Sequence, residues 1–519
     1  MSDQKSRGFL GSVLTLMSGN VLAQGLTMAC TPVLTRLFPP EAYGEFALAS
    51  SIIMVLASVS HLRYNAAIML PRAEEDADAL TLLSLGLVAG VSLLALALVL
   101  LLPHTLQNLF GLRSVGTLRL VPPGCLLCGG ILVLQIRNLR QKRFRRQAAA
   151  QFAGAAGSRA LIILAGLCGL TAPVVLAAMK PLNDFFLFSV LAAGEERGLR
   201  GRIFSPTSLH RVPAVAREYA RFPKYCGTDL VLVLNMELPT FLLAVYFSPV
   251  EVGLYNLAVR MLKQPSVIIG QAIGRSIYQH TSEQQNLGQN IDGFVLRVLE
   301  CNLILYLFPA ILLWAYVPEL FGLIFGAKWS ASGEFVRILL PVFLMTFLSF
   351  STEPLMDTLR LQRERFLFSV LQISVSLASF ILGAALGDVT GALVCLSGGS
   401  SLLIAFRIGW VAAKTGVTRA DLIRRTLPPV LASALLGGMF FAADALAGAR
   451  LSQPLHATIP LALLLLAIYF YGFYALRFRA LLRERRDRGR IHSGPDASGP
   501  DKRGPGNGGP EAGGQDAPG

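Results

Sequence analysis

Two basic residues three positions apart, Arg260 and Lys263, lie inside a long apolar stretch of this 519-residue sequence. The spacing places both side chains on one face of a helix. A guanidinium can bind an anion through two parallel hydrogen bonds, and an ammonium adds a compact point charge. The pair is therefore a candidate site for an anionic group such as a diphosphate, provided that this face borders a wet cavity.

Further charged and polar residues lie within apolar stretches, where a charge is costly unless it faces protein or water. Arg63, at the end of its stretch, is another candidate ligand for a diphosphate. Lys180 and Asp184 are spaced for an internal ion pair, although a substrate or ion site would use the same two residues. Asn235 and Glu237 lie deep in a stretch beside a proline, which bends a helix and frees a backbone carbonyl, as suits a cavity wall.

No spacing in the sequence predicts a metal ion or a cofactor. Cys125 and Cys128 have the separation of a redox or zinc pair, but they lie in an apolar run without a nearby histidine or second pair. Helix packing explains them. Asn20 and Gln24, four positions apart in the first stretch, suit either a cavity wall or hydrogen bonds between helices.

The composition is that of a membrane protein. Hydrophobic residues make up 53% of the chain and charged residues 15%, with a mean hydropathy of +0.57. A soluble domain carries far more charge. The net charge of +15 could indicate a nucleic-acid partner, but the basic residues occur in short blocks beside apolar runs, which is the pattern of membrane topology. We therefore expect a lipid bilayer and no nucleic acid as partner.

The apolar stretches predict an all-α polytopic membrane protein with about fourteen transmembrane helices, since each span needs about 20 apolar residues. The predicted spans are 9–35, 43–62, 79–102, 118–136, 148–170, 173–193, 225–247, 253–274, 294–317, 335–356, 366–387, 389–413, 427–448 and 456–476. The connections after even-numbered spans are rich in arginine, whereas those after odd-numbered spans are poor in it. The positive-inside rule then predicts that both termini are cytoplasmic.

One twelve-residue phrase occurs twice. Residues 38–49 and 247–258 align without a gap, and Gly44 meets Gly253 at an offset of 209 residues. Five positions are identical, and each copy lies between two predicted spans, the first between spans one and two and the second between seven and eight. An offset of six spans preserves orientation, so the repeat predicts two six-helix lobes related by a pseudo-twofold axis along the membrane normal.

The repeat and the charge pattern together predict the organisation of the chain. We expect an N-lobe, a cytoplasmic linker loop with a short amphipathic helix near 212–222, a C-lobe, two additional C-terminal helices with a basic segment, and a disordered tail rich in glycine and proline. The expected boundaries are 1–194, 195–224, 225–414, 415–490 and 491–519.

Several phrases, in order, resemble a known family. They are Leu34-Thr35-Arg36-Leu37-Phe38 through Tyr43-Gly44, Tyr64-x3-Ile68-x-Leu70-Pro71, Arg221-Phe222-Pro223-Lys224-Tyr225, Val252-Gly253-Leu254-Tyr255, and Leu320-Phe321-Gly322 through Lys328-Trp329. The likeness spans roughly 8–425 and is to the polysaccharide transporter (Wzx-type O-antigen and lipopolysaccharide flippase) family of the multidrug/oligosaccharidyl-lipid/polysaccharide superfamily. That superfamily also contains the lipid II flippases and the MATE exporters.

The resemblance implies a flippase of the bacterial inner membrane. Its cargo would be an undecaprenyl-diphosphate-linked oligosaccharide for O-antigen or exopolysaccharide synthesis, carried through a central cavity that opens to each side in turn. A polysaccharide polymerase and a chain-length regulator would be possible partners, and no enzymatic activity or cofactor is implied.

Two other functions remain open. A cation-coupled exporter like the MATE proteins would have the same fold, but it would need carboxylates in the first half of the membrane domain, where Asp184 is the only candidate that we consider. A membrane polysaccharide polymerase or ligase would need a large extracytoplasmic loop or a site rich in carboxylates. The predicted periplasmic loops are short and poor in acidic residues.

Overall fold

Helices build almost all of the part of the chain that the computed structural model describes, which is residues 2–193, 205–286, 292–448, 464–466, 468–470 and 472. Within those ranges no β-strand occurs. The chain divides into two units, Met1–Ser452 and Gln453–Gly519. The described residues of the second unit are all helical.

In the described part of the first unit, the α-helices and two 3₁₀ turns (Phe222–Tyr225 and Ala327–Trp329) follow one another with short connections. The α-helices are α1 (Ser2–Leu37), α2 (Pro40–Ser60), α3 (Tyr64–Ala67), α4 (Glu74–Leu101), α5 (Pro103–Phe110), α6 (Val115–Arg119), α7 (Val121–Arg140), α8 (Phe144–Leu167), α9 (Pro173–Ala177), α10 (Met179–Ala193), α11 (Pro206–Glu218), α12 (Cys226–Tyr246), α13 (Pro249–Asn286), α14 (Asp292–Phe325), α15 (Ser330–Ser349), α16 (Glu353–Thr358), α17 (Gln362–Ala384), α18 (Val389–Lys414) and α19 (Arg419–Gly448).

Eleven helical segments of the described residues are long and apolar enough to cross a membrane. Helices α1 and α13, with 36 and 38 residues, also exceed the length that a bilayer requires, which is about 20 residues. These helices coincide with the first thirteen predicted spans. Most of the fourteenth, 456–476, lies outside the described residues. The prediction of an all-helical, multi-pass membrane protein is confirmed.

The spans of the first unit form two lobes. Helices α1, α2, α4, α7, α8 and α10 pack on one another as the N-lobe, and α12, α13, α14, α15, α17 and α18 as the C-lobe. Helix α2 joins the lobes because it packs along both α12 and α13. Of the residues in its apolar span 72% are buried within the protein, whereas the share is 17% for α17, on the outside of the C-lobe. The apolar side chains of an outer helix can face lipid, so burial within the protein marks α2 as the centre.

The two copies of the repeated phrase meet at the start of α2 and α13. A Cβ atom on Gly44 would overlap the carbonyl oxygen of Pro249, and a Cβ atom on Gly253 would overlap that of Pro40. In the repeat, Pro40 corresponds to Pro249 and Gly44 to Gly253. Each glycine therefore lies on the proline of the other copy, which is the reciprocal contact that a twofold axis produces. We call this end of the helices the repeat end.

Ion pairs between neighbouring elements are concentrated at the opposite end, which we call the basic end. Arg140 of α7 binds Glu74 at 2.8 Å, and Arg211 of α11 binds Asp76 at 2.7 Å. These acidic residues begin α4, where a helix favours negative charge. The ion pairs thus anchor α11 and α7 to the start of α4.

The chain between the lobes is only partly described. Helix α11 begins at Pro206, earlier than the amphipathic helix expected near 212–222, and Val215 on it is buried. The first residues of the expected linker, up to 204, and the whole expected tail, 491–519, lie outside the described residues.

Candidate functional site

A polar cavity of about 290 Å³ lies between α1, α8 and α10 of the N-lobe and α13 of the C-lobe. Three of its lining residues are cations, and most of the others carry amides or hydroxyls. The lining consists of Asn20, Ala23, Gln24, Thr27, Gln151, Ala155, Arg159, Asn183, Arg260, Lys263 and Gln264. A polar chamber between two lobes of membrane helices is where a hydrophilic group could cross a bilayer.

Helix α13 supplies two of the cations from one face. The guanidinium carbon of Arg260 lies 5.8 Å from the centre of the Phe46 ring on α2, within the range of a cation–π contact. Lys263 lies about one turn further on, and its Nζ is 4.0 Å from the Sδ of Met236 on α12. The i,i+3 spacing thus brings both predicted residues to the same cavity.

The third cation, Arg159 of α8, faces them from the N-lobe. It is 8% exposed, and its Nη1 donates to Ser158 Oγ at 3.0 Å and to Asn183 Oδ1 at 3.1 Å. A third hydrogen bond goes to the carbonyl oxygen of Ala155 at 3.2 Å. All three acceptors are neutral, so none of these hydrogen bonds, which lie among the described residues, supplies a counter-charge to the guanidinium.

The cavity therefore carries an excess of positive charge. In the described part of the chain, no carboxylate forms a salt bridge with Arg159, Arg260 or Lys263. Among the described residues, the Oε1 atoms of Gln24 and Gln264 are also buried without a hydrogen-bond partner. Buried polar groups are normally paired, and a buried charge is costly alone. This arrangement suits a hydrated, anionic guest.

Lys180 and Asp184 form the ion pair that their spacing allows, on α10. Lys180 Nζ binds Asp184 Oδ2 and also lies 3.5 Å from the Sγ of Cys128 on α7. Asp184 is 3% exposed, so the pair is inside the N-lobe rather than on the cavity wall. Asn183, next to Asp184, is the residue of this helix that reaches the cavity.

Asn235 and Glu237 lie on α12, which runs through the neighbouring proline from Cys226 to Tyr246. Glu237 accepts a hydrogen bond from Ser51 Oγ of α2 at 2.5 Å. That contact connects the two lobes. Asn235 is half-buried on the same helix, and neither residue lines the 290 Å³ cavity.

Arg63 lies away from this cavity, at the basic end. Its Nη1 is 3.1 Å from Asp229 Oδ1 and donates to the carbonyl oxygen of Tyr225 at 3.0 Å, both in the chain that enters the C-lobe. Its backbone is left-handed, with φ of 61°, which a residue other than glycine adopts only at a cost. Arg63 thus has a carboxylate partner, and this ion pair connects the two lobes.

Sequence reasoning missed Arg159 and Asn183. Arg159 carried the necessary signal, since it is a charge in the middle of an apolar span. Its sequence neighbours are Ser158 and Ala160, and no second cation lies one helical turn away. The partner cations come from a helix about 100 residues later in the chain, so only the packing of α8 near α13 brings them together.

Comparison with known proteins identifies a family for the sequence and a likeness of fold. The model of the polysaccharide biosynthesis protein family matches residues 33–334. No curated protein matches the sequence. Among solved structures, the lipid II flippase MurJ in an inward closed conformation has a TM-score of 0.70 at 12% identity, covering 90% of this chain and 100% of that one.

Two MATE structures are similar at lower scores. An inward-facing multidrug resistance MATE transporter of the MOP superfamily has a TM-score of 0.55 at 16% identity, covering 77% of this chain and 94% of that one. The MATE multidrug transporter DinF-BH has a TM-score of 0.53 at 13% identity, covering 79% and 95%. At these identities the likeness is one of fold. Because the family model covers more than half of the sequence, the chain belongs to the polysaccharide biosynthesis protein family.

Proposed function

We propose that this protein is an inner-membrane flippase that moves undecaprenyl-diphosphate-linked oligosaccharide units across the bilayer for surface polysaccharide synthesis. The observation that carries the proposal is the cavity between the lobes, whose cations Arg159, Arg260 and Lys263 have no carboxylate partner among the described residues. Membership of the polysaccharide biosynthesis protein family and the fold shared with MurJ support it.

The charge of the cavity matches the chemistry of such a cargo. A diphosphate between a lipid and a sugar is negatively charged on each phosphate, and the sugar is strongly hydrated. Its transfer into hydrocarbon would be prohibitive, whereas the polyprenyl tail can stay in the membrane. Fixed guanidinium and ammonium groups replace the lost water with charge-assisted hydrogen bonds, each contributing about 1.5–3 kcal/mol.

Amides beside the cations suit the sugar part of the cargo. Asn20, Gln24 and Gln151 line the same cavity and offer both donors and acceptors. The cavity of 290 Å³ is smaller than an oligosaccharide, so we propose that this conformation is a closed one and that the lobes separate around the cargo.

Alternating access would use the contacts at the two ends. At the repeat end, Trp329 is fully buried and its indole donates to the carbonyl oxygen of Thr35 at 2.9 Å. Lys328 Nζ donates to the carbonyl oxygen of Phe38 at 3.0 Å. At the basic end the half-exposed Arg63–Asp229 pair bridges the lobes. We propose that these two sets of contacts break in alternate halves of the cycle.

The expected orientation follows from charge. Because arginine is concentrated at the basic end, we propose that this end is cytoplasmic and the repeat end periplasmic, with both termini in the cytoplasm. The cargo would enter at the basic end and leave at the repeat end. A polysaccharide polymerase and its chain-length regulator would then act on the released units. No bond is made or broken in this cycle.

A cation-coupled exporter like the MATE proteins is the rival that the fold also supports, through the MATE structures. Its coupling cation would be repelled by the three cations of the cavity, and the candidate carboxylate, the buried Asp184, already has Lys180 as partner. A drug-resistance assay separates the two functions, since an exporter would raise resistance to cationic dyes when overproduced.

The proposal is tested by deleting the gene and measuring lipid-linked oligosaccharide on each leaflet of the inner membrane. We expect accumulation on the cytoplasmic leaflet and loss of surface glycan. A normal distribution between the leaflets, with only the length of the glycan altered, would instead assign the protein to polymerisation.

A further inference from the structure

Asn183 holds two oppositely charged groups apart. Its Oδ1 accepts a hydrogen bond from Arg159 Nη1 at 3.1 Å, and its Nδ2 donates to Asp184 Oδ1 at 3.2 Å. One neutral amide therefore stands between the guanidinium on the cavity wall and the buried carboxylate. The other carboxylate oxygen, Oδ2, is bound by Lys180.

Arg159 and Asp184 carry opposite charges and bind the same amide, yet they do not form an ion pair with each other. A guanidinium and a carboxylate form a two-pronged ion pair readily, and both groups are more than nine-tenths buried. Instead, the Asp184 carboxylate binds Lys180, and the Arg159 guanidinium donates hydrogen bonds to neutral acceptors. In the part of the chain that the structure describes, no carboxylate forms a salt bridge with Arg159.

Close packing between α8 and α10 fixes the position of the Asn183 amide. A Cβ atom on Gly154 of α8 would lie 2.9 Å from the carbonyl oxygen of Asn183 and 3.3 Å from its Oδ1. The absence of that atom lets α8 and α10 approach at this residue, and the contact limits the positions that the amide can adopt.

We propose that Lys180 and Asn183 act together as a charge guard: Lys180 sequesters the Asp184 carboxylate, and Asn183 separates it from Arg159, so that the guanidinium stays available to an anionic diphosphate. Both are positioning residues for the anion site. This inference rests on the proposed function, since it assumes a diphosphate in the cavity.

The charge guard predicts that a negative charge at position 183 weakens binding of the anionic cargo. Asn183→Asp is nearly isosteric and leaves the Lys180–Asp184 pair in place, but its carboxylate would pair with Arg159. We expect binding of undecaprenyl diphosphate to the detergent-solubilised full-length protein to weaken roughly tenfold or more, which corresponds to one charge-assisted contact.

Ser189→Asp provides a matched control, because it adds a carboxylate to the same helix at a residue outside the cavity lining. It should bind the lipid like the wild type. The melting temperature of each variant is measured alongside, because a merely structural role would lower stability and leave the affinity of the folded protein unchanged.

A second experiment tests whether a substitution at Asp184 suppresses the effect of a substitution at Lys180. Lys180→Met frees Asp184 to turn to Arg159 and should weaken binding, and the double variant Lys180→Met, Asp184→Asn should restore it. Binding by Asn183→Asp at wild-type affinity, while Arg260→Ala is impaired, would overturn the charge guard and leave the proposed function standing. A wild-type protein that does not bind undecaprenyl diphosphate would overturn both.

Discussion

Gly44 and Gly253 face each other across the contact between the two lobes at the repeat end. A Cβ atom on Gly253 would lie 3.0 Å from the backbone nitrogen of Gly44, and each glycine contacts the proline that begins the helix of the other copy. Backbone lies against backbone here, so the contact leaves no room for a side chain. The two lobes thus meet at equivalent residues, and a rocking motion of one lobe against the other would change this contact.

The first prediction concerns that contact. Gly253→Ala should destabilise the protein by about 1–3 kcal/mol, because the new methyl group overlaps backbone that cannot rotate away. The measurement is thermal unfolding in detergent. Gly86→Ala is the control, since its Cβ would meet nothing within 4 Å. Equal melting temperatures for the two variants would show that the lobes do not pack here as described.

The second prediction concerns opening at the repeat end. Ala42 lies between Pro40 and Gly44, and Val250 follows Pro249, so both adjoin residues of the glycine contact. In a variant whose seven native cysteines are replaced, cysteines at these two positions should crosslink in the closed state and separate when cargo drives the cycle. The yield should therefore fall when undecaprenyl-linked oligosaccharide is supplied. An unchanged yield would rule out a gate at this position.

The third prediction concerns the contact that Trp329 makes with α1. Trp329→Phe keeps an aromatic ring against Tyr43, whose ring centre is 4.8 Å away, but removes the hydrogen bond to Thr35. A lost hydrogen bond costs about 1 kcal/mol, so the open population should rise roughly fivefold. The rate at which a thiol reagent labels a cysteine at position 42 reports that population. A rate equal to that of the parent would remove Trp329 from the gate.

The fourth prediction is topological. A tag after Gly387, in the exposed turn between α17 and α18, should be periplasmic, and a tag in the segment after 490 should be cytoplasmic. The turn at Gly387 is preferable to the one at 326–329, because Trp329 there is fully buried. If both tags were found on one side, the fourteen-span topology would be wrong.

Local spacing predicted well wherever partners lie within one helix or one repeat. The Lys180–Asp184 pair, the shared face of Arg260 and Lys263, and the equivalence of the two repeat copies all follow from short-range pattern. The multi-pass, all-helical architecture followed from hydropathy because each span must cover the bilayer, whereas the count of fourteen stays a prediction.

Long-range partners could not be predicted in the same way. Arg63 was predicted as a candidate ligand for a diphosphate, but it pairs with Asp229, on a helix that begins beyond the linker. Arg159 is the only charged residue in its predicted span, and the cations that line the cavity with it lie on α13. In both cases the partner is set by how helices from different lobes pack, and that packing leaves no local trace in the sequence.

The most direct test of the account removes the two cations that α13 places in the cavity. Arg260→Ala together with Lys263→Ala should abolish surface glycan while the protein stays inserted at its normal level, and Arg260→Lys should retain part of the export because it keeps a charge without the two-pronged geometry. Arg365→Gln, which removes an exposed arginine paired with Asp357 outside the cavity, serves as the control and should export normally. Surface glycan at the wild-type amount in the Arg260→Ala, Lys263→Ala variant would contradict the cationic cavity as the path of the cargo.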